Sequence, residues 1–182
     1  MDSNNKNIVT IANLSARKGH EDYLRAIAIV INKVPESRFL FIGKDNLNGK
    51  IQQLIIDNNL KDSVQYLGFQ EKIDDLLEDS VVFVLPSLYG EGCPTSILEA
   101  FSFSMPVVAY QLDGIPELVT HGVDGLLFDA GNVDALADGI ISLLLDSEKA
   151  TKMGISGRQK VKDYFLLNDM VKKHNDYFIG LK

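Results

Sequence analysis

The feature that most constrains this chain is a repeated switch of hydrophobic period. Short, almost uninterrupted runs of Val, Ile, Leu and Phe alternate with longer stretches whose apolar residues recur every three or four positions. Runs with no in-out alternation mark strands buried on both faces, as in a parallel sheet lying between helices. The expected strands are Ile8 to Ala12, Arg38 to Ile42, Val64 to Leu67, Val81 to Leu85, Pro106 to Tyr110 and Gly125 to Phe128. The expected class is α/β, a doubly wound parallel sheet with helices on both faces.

Helical period fills the intervals. One helix opens near Gly19-His20, turns Tyr23, Leu24, Ile27, Ile31 and Val34 inward, and ends at Pro35. Others are expected from Leu47 to Asn59, from Lys72 to Leu77, from about Pro94, from Val133 to Leu145, from Glu148 to Tyr164 and from Leu167 to Ile179. No linker or repeat divides the chain, so residues 1–182 read as one domain, with residues 1–6 expected to fray.

Composition matters mainly for what it removes. A chain of 182 residues that is 46% hydrophobic can bury about 70% of its unfolded surface without a disulfide or a structural metal. Its apolar runs fall far short of the roughly 20 residues that a spanning helix needs. Residues Met1 to Lys6 lack a secretory signal's apolar stretch, so the expected address is cytoplasmic. A single cysteine, Cys93, and three scattered histidines make no zinc cage, so no metal is expected. A net charge of −7 argues against a nucleic-acid partner.

In such sheets ligands bind beyond the carboxyl ends of the strands, which directs attention to three βα loops: Asn13 to Gly19, Pro86 to Thr95 and Gln111 to Pro116. The second is the most specialised, with Gly90 and Gly92 inside it and Pro94 opening the next helix. Glycines allow close backbone approach, and a helix start offers unpaired N–H groups and a positive dipole end, so this loop suits a phosphate. Neither a Walker pattern nor a G-x-G-x-x-G after the first strand is present. Two carboxylates flank the seat, and each has two readings. Glu99 either holds ligand hydroxyls or closes a capping box running from Ser96, and spacing alone favours the box; Glu91 is either a ligand group or a solvated loop acid.

From Glu91 to Glu99 the sequence resembles the E, seven residues, E signature of retaining glycosyltransferases of the GT-B fold, group 1 or family 4 type. The similarity extends through Leu85-Pro86-Ser87, Pro106-Val107-Val108-Ala109, the Ile8 to Gly19 segment with Lys18-Gly19, and Asp113-Gly114-Ile115-Pro116-Glu117. It covers nearly the whole chain but only the carboxyl-terminal, donor-binding half of the family's two-domain enzymes; the acceptor-binding half is expected to be absent.

The resemblance implies sugar transfer from a nucleotide diphosphate sugar to an acceptor glycan or glycolipid, with retention at the anomeric carbon. It implies that Glu99 bonds the donor ribose and Glu91 faces the transferred sugar. Amides around Gly92, Cys93, Pro94 and Thr95 would meet the diphosphate, and Lys18 would hold it, with Arg17 as a further cation. Asn13 stands where the family commonly has arginine, and Gly43 and Gly68-Phe69 lie where members cradle the base. With no D-x-D pair, no metal and no cofactor beyond the substrate are expected. The implied setting is cytoplasmic polysaccharide biosynthesis, peripheral to the inner membrane in a full-length enzyme, with an isolated half weakly active. Phe165, Leu166, Phe178 and Ile179 either meet the other half or pack on the sheet, and His20 reads as a helix-surface residue. The rival readings are a sugar-nucleotide epimerase of related fold and a non-catalytic regulatory α/β domain.

Overall fold

The computed structural model describes residues 6–180. Strands β1 (Asn7–Ile11), β2 (Arg38–Ile42), β3 (Val64–Gly68), β4 (Val82–Leu85), β5 (Val107–Tyr110) and β6 (Gly125–Phe128) form one sheet in the order β3-β2-β1-β4-β5-β6. Every pairing is parallel. Each strand lies within one residue of its expected bounds. The order reverses direction between β1 and β4, which opens a crevice at their carboxyl ends.

Alternation along the strands divides the core into two layers. Ile8, Phe39, Phe41, Val82 and Val84 point to the face covered by α1 (His20–Lys33), α2 (Lys50–Asp57) and α6 (Val133–Leu145), where Tyr23, Ile27, Ile51 and Ile140 meet them. Val9, Phe83, Leu85, Val107 and Ala109 point the other way, against Leu77 of α3 (Asp74–Glu78), Ile97 and Phe101 of α4 (Thr95–Ser102) and Ile115 of α5 (Ile115–Leu118). The helix α7 (Ser147–Tyr164) packs on α4, and α8 (Leu167–Gly180) follows it.

Local chemistry sets several boundaries. The Asn132 and Asp146 side chains accept from Ala135 N and Lys149 N at the starts of α6 and α7. The second helix begins later than expected because the Asp45 carboxylate accepts from Leu47 N (2.7 Å) and Gly49 N (2.6 Å), holding residues 45–49 in a turn. The same two bonds keep the Asp45 carboxyl below its ordinary range. The short α5 was not anticipated. Of the six residues expected to fray, only Lys6 is described; its carbonyl accepts from Arg38 N at 3.1 Å and its ammonium donates to the Leu144 carbonyl. Phe165, Leu166, Phe178 and Ile179 do not pack on the sheet, being 36% to 69% exposed. No described helix is long and apolar enough to cross a membrane.

Candidate functional site

The loop after β1 (residues 12–19) and the loop after β4 (residues 86–94) line the crevice and are tied together. Leu88 N donates to Arg17 O at 2.7 Å, and Arg17 Nη1 donates to Gly90 O at 2.8 Å. Gly19, between a 3-10 turn at Ala16–Lys18 and α1, has φ +67°, and a Cβ there would stand 1.8 Å from the Pro86 carbonyl oxygen. Only glycine satisfies both the left-handed backbone and the close approach. This contact brings Lys18 over the second loop.

Glu91 is buried in the crevice, where its Oε1 accepts from Lys18 Nζ and, at 2.5 Å, from Ser87 Oγ. Arg17 Nη1 lies 3.8 Å from the same oxygen. The reading of Glu91 as a solvated loop acid is therefore corrected: the carboxylate is enclosed and neutralised by a cation from the neighbouring loop. Lysine carries three donors, so one N–H on Glu91 leaves two for a ligand.

Glu99 is not part of a capping box. The helix begins at Thr95 with Pro94 as its cap residue, no side chain caps it, and Ser96 is already inside the first turn. Glu99 thus sits in the second turn, half-buried, where loss of hydration raises its carboxyl pKa. It lines a cleft of about 320 Å³ with Asn13, Gly43, Phe69 and Gln70. Gly68 does not line this cleft; it accepts from Gly43 N at 2.9 Å, and Phe69 beyond it takes the wall position, 59% exposed with Lys44 Nζ 5.3 Å from its ring centroid. Asn13 Oδ1 accepts from Lys44 N at 3.0 Å, leaving its amide donors for the cleft.

Between the two acids run Gly92, Cys93, Pro94 and Thr95. Pro94 is buried, while the other three are exposed and their amides have no acceptor among the described residues. Crevice, free amides, cations and the Glu99 cleft thus share one edge of the sheet. Among the described residues no group of three or more His, Cys, Asp and Glu gathers as around a metal ion.

Residues 1–160 match the family described as glycosyl transferases group 1. The chain belongs to this family. Its similarity to the amylovoran biosynthesis glycosyltransferase AmsK of Erwinia amylovora is 32% identity over 165 residues, 87% of this chain and 40% of AmsK. It superimposes on the Anabaena protein HepE, solved in complex with UDP-glucose, with TM-score 0.88 and 26% identity over 97% of this chain and 49% of HepE. In fold alone it matches the C-terminal domain of LpcC, a group 1 family protein of Francisella tularensis, with TM-score 0.80 and 20% identity over 88% and 86% of the two chains. The chain thus spans less than half the length of AmsK and about half that of HepE.

Two polar residues of this group 1 glycosyl transferase chain, which the sequence shows only as parts of family-like segments, take places at the site. Ser87, fully buried in the loop after β4, is invisible as a site residue until its hydroxyl is seen on Glu91, four positions later. Asp113, in the loop after β5, accepts from both Gly90 N and Glu91 N. His20 corrects an expectation: it is 2% exposed, edge-on to Phe41, with neither ring nitrogen hydrogen-bonded. Burial, and secondarily the charge of Lys18, lowers its pKa from 6.5 to about 4.

Proposed function

We propose that the chain is the donor-binding half of a glycosyltransferase that moves a sugar from a nucleoside diphosphate to an acceptor, with retention at the anomeric carbon and without a metal. The observation that carries this reading is the division of labour between two carboxylates one helix start apart. Glu91 is enclosed beside Lys18, whereas Glu99 is half-open and its carboxylate has no hydrogen-bond partner among the described residues. A desolvated carboxylate facing a cleft favours paired hydroxyl donors, which suits Glu99 to a ribose. The exposed Phe69 and the Gly43 backbone give that cleft a wall for a base.

As the sugar–oxygen bond breaks, negative charge grows on the diphosphate. The free N–H groups of Gly92, Cys93 and Thr95, the remaining donors of Lys18 and the half-exposed Arg17 supply fixed positive groups to meet it. Glu91, held by Ser87 and Lys18, faces the transferred sugar. The acceptor, a glycan or glycolipid, would be presented by a second half of the cleft, so the present chain alone binds donor but transfers little. HepE, solved with UDP-glucose, supports a nucleoside diphosphate sugar as the ligand class.

Calorimetric titration with UDP, GDP, ADP and their glucose or mannose conjugates tests this. Binding of one base series, weakened in a Lys18→Ala, Glu99→Ala double variant, is expected. No binding in any series, or the same binding in the double variant, overturns the assignment.

A further inference from the structure

Three loops meet at Glu91, and the third, Gln111 to Pro116, has been given no ligand contact under the proposed function. The turn after β5 places Asp113 at φ +45°, a left-handed conformation that glycine adopts without strain and aspartate tolerates. One oxygen, Asp113 Oδ2, accepts from both Gly90 N and Glu91 N at 3.0 Å. The next residue continues the stitch: Gly114 N donates to Glu91 O at 3.0 Å, and a Cβ on Gly114 would stand 1.8 Å from the Gly92 carbonyl oxygen. The Glu91 main chain is therefore gripped at both N–H and C=O from the β5 side, while its carboxylate is gripped by Ser87 and Lys18 from the other.

We infer that Asp113 is a positioning residue: through the Gly90 and Glu91 amides it fixes the peptide that aims Glu91 at the transferred sugar, an inference that rests on the donor-binding reading. The backbone turn alone does not account for an aspartate, since glycine would make it more easily. What aspartate adds is an acceptor for the amides of exposed Gly90 and buried Glu91, which have no other acceptor among the described residues. A carboxylate bonded to two N–H groups fixes both peptide planes more firmly than water does. Asp113 is solvent-exposed, so its removal acts on the loop rather than on the core.

Because a single oxygen takes both amides, asparagine carries the geometry and glycine does not. The test compares wild type, Asp113→Asn and Asp113→Gly by amide hydrogen exchange at Gly90 and Glu91, and by calorimetry with UDP and UDP-glucose, and GDP and GDP-mannose in parallel. Asp113→Gly is expected to lose protection at both amides and to bind the nucleotide sugar roughly 10-fold more weakly, while binding of the bare nucleotide changes less than about 3-fold. Asp113→Asn is expected to retain protection and nucleotide-sugar binding. Equal weakening of nucleotide and nucleotide sugar, unchanged nucleotide-sugar binding in Asp113→Gly, or no rescue by Asp113→Asn overturns the inference. If wild type binds neither pair, the donor reading itself fails; if it binds and the variants are indifferent, only the role of Asp113 fails.

Discussion

Replacing Lys18 and Glu91 singly and together separates an enclosed ion pair from a solvated one. Their side chains are 11% and 5% exposed, and among the described residues the Glu91 carboxylate has only Lys18, Ser87 and the outlying Arg17 as donors. Removing one member of such a pair leaves the other charged in a place with little water, which costs about 3–5 kcal/mol. For a domain of this size that is a fall in Tm of roughly 6–20 °C. The two singles should differ. Lys18→Met leaves Glu91 with Arg17 Nη1 3.8 Å away, a weak substitute because that side chain is 44% exposed, so its cost lies toward the lower end. Glu91→Gln leaves Lys18 with no carboxylate and lies toward the upper end, although the amide oxygen still accepts from Ser87. The double variant removes both charges and should recover to within about 1–2 kcal/mol of wild type, a coupling of at least about 4 kcal/mol. Thermal or urea unfolding of the four proteins measures this. Additive losses below about 1 kcal/mol each would show a water-exposed pair and refute the enclosed geometry.

Gly19→Ala should destabilise the fold by more than about 3 kcal/mol, combining left-handed strain with collision against Pro86 O, whereas Gly49→Ala, at φ +82° with nothing within 4 Å, should cost only about 1–2 kcal/mol. The same unfolding assay ranks them, and equal losses would contradict the loop contact. His20 makes stability depend on pH. The unfolded chain gains this proton as pH falls through 6.5 and the folded chain only near 4, so stability is lost across that window, by roughly 3 kcal/mol in total. His20→Leu should flatten the denaturation profile between pH 6.5 and 4; an unchanged slope refutes the assignment. Glu99→Gln should leave Tm within about 2 °C, since the side chain has no internal hydrogen bond, yet weaken nucleoside diphosphate binding roughly 10-fold or more by calorimetry.

The strands could be read from the chain because each is a local pattern: Val82–Leu85 is apolar throughout because both its faces are covered. The loops after β1 and β4 could also be located, since strand ends and glycine placement are sequence-local signals. Other features depend on contacts between distant residues. The Ser96 to Glu99 spacing fits a capping box, but Pro94 already starts the helix and turns Glu99 into the cleft. Whether Glu91 is solvated depends on Lys18, 73 residues away. His20 follows a lysine and a glycine and looks superficial, yet the handedness at Gly19 rotates it under Phe41. Asp113 lies in a loop that the sequence marks as a candidate, but nothing local reveals two amides from a different loop on its carboxylate.

The bonds joining Arg17 to Leu88 and Gly90, and the seat of Gly19 under Pro86, make residues 12–19 and 86–94 a single mechanical part. On the proposed donor-binding reading, a graft of donor preference from a relative must therefore exchange the two segments together. A graft of either alone inherits a mismatched counterpart, and its failure would reveal broken joinery rather than an unsuitable choice of saccharide.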